Sequence, residues 1–369
     1  MDMSTVDISK IDQNFAAKEI VYDGIVFREV FEEPFKIYGL CRAYEDRNFK
    51  RMPTEIAEQV SPSVLDLHDH TSGGRIRFRT DSSKILLRTI FPGITRMEHM
   101  PRSGSTYFDL YLDGDYYDFF RPGQKQDPKN TPGLTVTIYN SNLPLDSKKM
   151  RDVEINFPLY NKVDSVFIGL EEDAALEPPK EYTHTKPIVF YGSSITQGGC
   201  ASHAGNCYTN MLSRRFDADI INLGFSGSAL AEPSMIEYVS NLDMGIFVYD
   251  YDHNAPTVEH LKNTHEKMFK AIREKHPTLP IIMVSAADRS FGTKPERAAV
   301  IRATYENAVK AGDTNVYFVD GSTIYAPVGR DLCTVDSIHP NDTGFYMMAQ
   351  AIGTVIEQVY QKGDCHEHI

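Results

Sequence analysis

A serine just past a glycine closes the apolar run Ile188-Val-Phe-Tyr-Gly192-Ser-Ser194-Ile-Thr-Gln-Gly198-Gly199. Near the other end of the chain, Val335-Asp336-Ser-Ile-His339-Pro340 sets a carboxylate three residues before an imidazole. The three side chains supply a nucleophile, a base and an acid able to orient the base. A serine on a strand-to-loop turn presents its hydroxyl at the carboxyl edge of a sheet, and flanking glycines let backbone approach a ligand closely. Serine-dependent hydrolysis is the chemistry this set suggests. Alone, Gly192-Ser-Ser194 would be no more than a turn, and the second cluster gives it meaning.

Other chemically able residues have plainer uses. His253 sits in a loop where backbone can satisfy it, while His184 and His203 read as linker and helix-start residues. Of Asp250 and Asp252, one is expected to pack against loop backbone. Cys200 reads as a small wall residue. Cys365-His366-Glu367-His368 has zinc-ligand types but stands at a terminus, where a solvated polar tail is the expectation. The glycine-rich loop lacks the Gly-Lys-Ser/Thr or Gly-x-Gly-x-x-Gly pattern of a phosphate cradle. No metal and no cofactor are expected.

At 369 residues the chain is long for a single core, and two domains are expected. A net charge of −13 without a run of five Lys/Arg argues against nucleic acid and anionic membranes as partners and fits a neutral or small substrate. Residues 1–20 hold no apolar core, and no long apolar window follows, so neither signal peptide nor membrane span is expected and the chain reads as cytoplasmic. Five cysteines without a C-x-x-C pair suit reduced thiols, with a Cys200–Cys207 bridge left open.

The elements that must position the serine, acid and base fall into two textures. Residues 20–170 alternate with period two in short runs: Gly74–Thr80, Lys84–Ile90, Tyr107–Leu112, Leu134–Tyr139 and Ser165–Leu170. Turn signals such as Asp113-Gly114 separate them. This reads as an antiparallel β-sandwich of the jelly-roll kind. The tract Glu171–Lys180, acidic and proline-bearing, reads as a linker, which divides the chain into 1–180 and 181–369. Beyond it, buried-strand runs at Ile188–Tyr191, Ile220–Leu223, Ile246–Tyr249, Ile281–Ser285 and Val316–Val319 alternate with helical stretches near 203–216, 233–241, 258–276, 295–311 and 342–361. That alternation predicts a parallel sheet covered on both faces, with catalytic loops at the carboxyl ends of its strands. Asn341 is the expected cap of the last helix and Gly363 its expected end.

Four blocks in order give the second half a resemblance to the SGNH/GDSL hydrolase superfamily. Gly192-Ser193-Ser194-Ile195-Thr196-Gln197-Gly198 resembles its Gly-Asp-Ser-Leu/Ile-Thr-x-Gly block, with Ser193 in place of the aspartate, and Asn222-Leu-Gly224 resembles its glycine block. Tyr249-Asp-Tyr-Asp-His-Asn254 departs from its Gly-x-Asn-Asp block, and Asp336-Ser-Ile-His339 matches its Asp-x-x-His block. The resemblance implies a flavodoxin-like α/β/α three-layer hydrolase domain with Ser194 as nucleophile, His339 as base and Asp336 as its orienting acid. It also implies an oxyanion hole of the Ser194 and Gly224 N–H groups with the Asn254 amide. In the first half, Ser105-Thr-Tyr-Phe-Asp109-Leu-Tyr111 is similar to the Gly-x-Asp-Leu-Tyr motif of a domain that precedes certain SGNH hydrolases, with Tyr107 at the glycine position.

The resemblance further implies a short acyl ester as substrate, and a sandwich ahead of an SGNH domain is similar to carbohydrate esterases. Deacetylation of a sugar or glycoside is the expectation. Polar residues after the strands, namely His203, Asn206, Ser226, Ser228, Glu232 and His253, favour a hydrophilic substrate. The absence of Trp, a frequent sugar platform, is partly met by 20 Tyr. A lysophospholipase or thioesterase acting on longer acyl chains, and a glycan-binding protein with a vestigial site, are the rivals. The aromatic stretch Gly114–Phe120 suggests a contact surface, within the chain or in a homo-oligomer.

Overall fold

The period-two runs of the first half fold into two antiparallel sheets. The computed structural model describes residues 23–121, 137–142, 149–287 and 295–367. Its first strands are β1 (Ile25–Glu29), β2 (Lys36–Tyr38), β3 (Arg75–Thr80), β4 (Lys84–Ile90), β5 (Phe108–Leu112), β6 (Asp115–Phe120), β7 (Thr137–Asn142), β8 (Arg151–Asn156), β9 (Ser165–Glu171) and β10 (Leu176–Glu177). One sheet has the order β1-β9-β4-β7, the other β10-β3-β8-β5-β6 with β2 added to β3. Alternation decides which side chains meet between the sheets. Ile76, Phe78, Leu110, Val153 and Ile155 of one sheet share a core with Ile85, Leu87, Val166, Ile168 and Leu170 of the other.

The opposite face of β3 carries Arg75, Arg77 and Arg79, and it does not face water throughout. Arg75 is fully buried, donating to the Asp219 carboxylate and to the Ile220 carbonyl at 3.4 Å, both in the second half. The tract expected to be a linker contributes β10, whose Leu176 pairs with Thr80. Residues 134–136 of the expected Leu134–Tyr139 strand lie outside the described residues.

The second half is a five-stranded parallel sheet: β11 (His184–Gly192), β12 (Ala218–Gly224), β13 (Ile246–Asp250), β14 (Ile281–Val284) and β15 (Val316–Val319), in the order β12-β11-β13-β14-β15. Its strands read as unbroken apolar runs because both faces are covered. Ile188 and Phe190 pack toward the Tyr208–Phe216 and Asp342–Glu367 helices. Val189 and Tyr191 pack toward the Pro233–Ser240, Val258–Lys275 and Pro295–Lys310 helices. β12 and β13 flank β11, so the chain leaves β11 toward one side and later crosses to the other. The carboxyl end of β11 is therefore the switch point where such sheets bind ligands.

Local signals account for most helix ends. Asn341 caps the last helix by accepting the Gly344 N–H at 3.1 Å, and Thr257 accepts the His260 N–H at 3.0 Å. The last helix does not stop near Gly363 but runs to Glu367. One glycine costs a helix interior only about 1 kcal/mol, and the preceding turn is anchored by Tyr360, stacked on His184 at 3.6 Å. Side chains beyond residue 362, including the Cys365–His368 tail, lie outside the described residues. Cys41, Cys200, Cys207 and Cys333 are free thiols, so the Cys200–Cys207 bridge is not formed. Among the described residues no helix is long and apolar enough to cross a membrane.

The helix layer conceals a titratable group that contributes to acid stability, as does His70, whose pKa burial also pushes down to about 3. His265 is buried on the Val258–Lys275 helix, 2.9 Å from Thr304 Oγ1 and stacked 4.5 Å from Tyr249, and burial pushes its pKa down to about 3. In the unfolded chain the same imidazole titrates near ~6.5. Between those values the unfolded state holds a proton that the folded state lacks, so stability is full above ~6.5 and falls as pH drops toward 3. Urea unfolding between pH 7 and 4 should show this decline, and His265→Gln should make it shallower, leaving the part due to His70. An unchanged slope in that variant would assign the acid sensitivity elsewhere.

Candidate active site

Ser194 opens the helical turn Ser194–Gln197, two residues beyond the end of β11. Gly192 must lack a side chain, since a Cβ would lie 2.1 Å from Thr196 Oγ1 and 2.5 Å from the Asp250 carbonyl. Ser193 Oγ accepts the Ile195 N–H at 3.2 Å, a capping role that an aspartate also fills, so the departure at this position leaves the turn capped.

The structure brings Ser194, His339 and Asp336 together. Ser194 Oγ lies 2.9 Å from His339 Nε2, and His339 Nδ1 lies 2.7 Å from Asp336 Oδ2. The second carboxylate oxygen accepts the N–H groups of Ile338 at 3.0 Å and His339 at 2.7 Å. Ser337 takes a φ of 70°, which folds the carboxylate back over these donors, and Val335 N–H closes the loop onto the His339 carbonyl at 3.0 Å. Partial burial pushes the Asp336 carboxyl up, but the two N–H groups and the imidazole outweigh it and hold it below the usual carboxylate range. An ionised Asp336 keeps the proton on Nδ1 and leaves Nε2 as the acceptor facing the serine. Ser194 is 8% exposed and the His339 side chain 20%, so both retain contact with solvent.

Gly224 and Asn254 depart from expectation in different degrees. Gly224 does not offer its N–H, which donates to Asn222 Oδ1 at 2.9 Å. That glycine serves packing: a Cβ would lie 2.1 Å from the Gln197 nitrogen, so only glycine lets β12 meet the serine turn. Three residues on, Gly227 is exposed at φ 68° with open space beside its Cα, and its N–H makes no hydrogen bond among the described residues. The Asn254 side-chain Oδ1 accepts the Ala229 N–H at 3.2 Å, which leaves Nδ2 without a partner among the described residues. The Ser194 N–H is likewise unengaged there. The neighbouring acids are structural, with the Asp250 carbonyl accepting the Ser193 N–H and Asp252 Oδ2 accepting the Ala286 N–H, each at 3.2 Å.

The first half grips this site from behind, through residues that sequence reading did not single out. Tyr160 OH donates to the Ser194 carbonyl at 3.0 Å and Ser72 Oγ to the Gln197 carbonyl at 2.7 Å. Arg51 is buried and donates to the carbonyls of Gly224 at 2.5 Å, Asn222 at 3.2 Å, Leu67 at 2.6 Å and His70 at 2.7 Å. Burial pulls its pKa down to about 10, which leaves it charged at neutral pH. Asp109, the acid of the Asp-Leu-Tyr motif, is fully buried and accepts from His203 Nδ1 at 2.6 Å and from the Gly205 N–H. Asp342 ties the same loop from the other side, accepting the Ser202 N–H at 2.8 Å and Asn206 Nδ2 at 2.9 Å. Only Asp109 carried a sequence signal, because it sits in a motif, although nothing in the motif states its role. The Gly114–Phe120 aromatics make a contact within the chain, where Tyr116 stacks 4.7 Å from His203.

A parallel α/β/α layer bearing a hydrogen-bonded serine, histidine and aspartate at its switch point defines a serine hydrolase fold. Residues 185–357 match the GDSL-like lipase/acylhydrolase family, and residues 25–176 match the amino-terminal domain of SGNH-hydrolase-type esterases. The chain belongs to the SGNH/GDSL hydrolases, with that amino-terminal domain ahead of the hydrolase domain, and is an ester-hydrolysing enzyme. A protein of Bacteroides ovatus described as a GDSL-like lipase is 26% identical over 91% of this chain and 98% of its own, with a TM-score of 0.78. The salicylyl-acyltransferase of a tetracycline biosynthetic pathway is 20% identical over 92% and 98%, with a TM-score of 0.73. An acetyl xylan esterase of Butyrivibrio proteoclasticus is 14% identical over 91% and 99%, with a TM-score of 0.56. No curated protein matches the chain.

Arg51 offers a direct test of the grip. Leaving buried carbonyls without donors costs about 1–3 kcal/mol each, so Arg51→Met should lower the unfolding free energy by at least ~3 kcal/mol in urea denaturation. Arg51→Lys should recover little, since one ammonium cannot span carbonyls on both halves. Wild-type stability in either variant would show that the carbonyls find other donors.

Proposed function

We propose that this protein is a serine esterase that removes short acyl groups, acetyl foremost, from a carbohydrate ester. The observation that carries the reading is the unbroken relay from Ser194 Oγ to His339 Nε2 and from Nδ1 to Asp336, at 2.9 and 2.7 Å. His339 takes the serine proton as Oγ attacks the ester carbonyl and returns it to the departing sugar hydroxyl, while Asp336 stabilises the imidazolium. Water then repeats the sequence on the acyl-enzyme. The oxyanion is assigned to the Ser194 N–H and Asn254 Nδ2, with the Gly227 N–H taking the place first given to Gly224 because its donor is unengaged. Each donor contributes about 3 kcal/mol to the transition state.

The acetyl and carbohydrate parts rest on the two-domain arrangement shared with the acetyl xylan esterase. The polar loops lend less support than their composition suggests, since His203 is spent on Asp109 and Asn206 on Asp342. We place the division between the domains at the segment joining β10 to β11. A second reading, an acyl group longer or more aromatic than acetyl, draws on the loop that holds Asp336 and His339. There Leu332, Val335 and Ile338 are 60%, 47% and 52% exposed and offer an apolar rim. A binding protein with a vestigial site has no physical reason to keep the relay aligned.

Initial rates on aryl acetate and aryl octanoate separate these readings. Acetate should be preferred, Ser194→Ala should cut kcat on the order of a million-fold, and Asn254→Ala or an Asp336→Asn change should cost about a hundredfold or more. Octanoate preference would favour the apolar-acyl reading, and turnover that survives Ser194→Ala would end the serine mechanism.

A further inference from the structure

Three side chains with metal-binding atoms converge at the mouth of the site, and the esterase mechanism uses only one of them. One ligating atom from each of His99, Cys200 and His339 lies within 4.8 Å of the others. They come from separate parts of the chain: His99 from the first half, Cys200 from the loop behind the serine turn, His339 from the loop before the last helix. The His99 and His339 ring centroids are 5.1 Å apart at 51°. His99 is exposed, and that ring contact is its one interaction among the described residues, so its imidazole is free to turn.

We propose that His99, Cys200 and His339 form a zinc site that switches the esterase off reversibly. Two imidazoles and a thiolate are a donor set for zinc, with bonds of about 2.0–2.3 Å and ligand atoms about 3.4–3.8 Å apart. The cluster reaches that spacing by closing on the order of 1 Å, and the exposed His99 can supply its own share of that movement. His339 is already prepared as a ligand, because Asp336 holds its Nδ1 at 2.7 Å and leaves Nε2 to coordinate. The fourth position falls to water or to Ser194 Oγ, 2.9 Å from Nε2.

Zinc takes the thiolate and not the thiol as its ligand. Binding exchanges the Cys200 proton, released to solvent, for a sulfur–zinc bond. A dication between one thiolate and the Asp336 carboxylate leaves the site electrically balanced. An imidazole bound to zinc through Nε2 cannot accept the serine proton, so occupancy and turnover exclude each other.

The inhibition rests on the esterase reading, but the binding does not, and the experiment separates them. Chelator-treated full-length protein is titrated with Co2+ in the absence of substrate, and Zn2+ is tested against aryl acetate hydrolysis. One equivalent of Co2+ should give tetrahedral visible bands with a sulfur-to-cobalt charge-transfer band that Cys200→Ser abolishes. Zn2+ should inhibit, chelator should restore the rate, and His99→Ala should weaken inhibition more than about tenfold relative to its own zinc-free rate. Absence of the charge-transfer band would overturn the proposal, as would inhibition unchanged in both variants. A cobalt spectrum without any esterase activity would sustain the metal site and sink the catalytic reading instead.

Discussion

The backbone around Ser194 takes hydrogen-bond donors from the other half of the chain, and this constraint organises the molecule. The turn after β11 and the end of β12, which meets it, leave the carbonyls of Gln197 and Gly224 pointing into protein. Ser72 and Arg51 of the first half supply the donors. A buried unpartnered carbonyl costs about 1–3 kcal/mol, comparable with a tenth or more of a domain's net stability. The sandwich is thus part of the structural wall of the active site.

Arg51 illustrates how such a wall is held. It is buried with no carboxylate within salt-bridge reach among the described residues, and its charge is met by four carbonyls and by the face of Phe225, 4.7 Å away. A planar guanidinium suits this task because its donors diverge in fixed directions and reach two domains at once. Asp109 does the complementary job with an acceptor, gathering His203 and Gly205. Tyr111, two residues on, leaves no room for a side chain at Gly205, where a Cβ would lie 2.0 Å from its hydroxyl. The Asp-Leu-Tyr motif is therefore a clamp on the loop that follows the nucleophile.

What was legible in the sequence followed from local causes. The parallel strands declared themselves because both faces are apolar, and the Asp336–His339 spacing did so because one tight turn delivers both side chains. Gly224 was misjudged because a glycine that spares room for a neighbour looks the same in sequence as one that lends its N–H. Only the position of the Asn222 side chain tells them apart. Arg51, Ser72 and Tyr160 were silent because their partners in the second half lie more than thirty residues away, up to 173 positions for Arg51 and Gly224, and no short-range pattern encodes such pairs. The polar loop residues misled for the same reason, since His203 and Asn206 serve the fold through distant carboxylates.

These fixed contacts also locate where specificity can vary. The serine turn, the Gly224 strand end and the 202–206 loop are each pinned by buried donors or acceptors, so a change there disturbs packing before it changes binding. The outer rim is different. His99, Leu332, Val335 and Ile338 are exposed, and among the described residues none carries side-chain hydrogen bonds that hold the fold. Substitution at these positions leaves the Ser194–His339–Asp336 relay intact while altering what approaches it. A rigid wall behind the relay and an uncommitted rim in front of it separate what must stay fixed from what is free to vary on one scaffold.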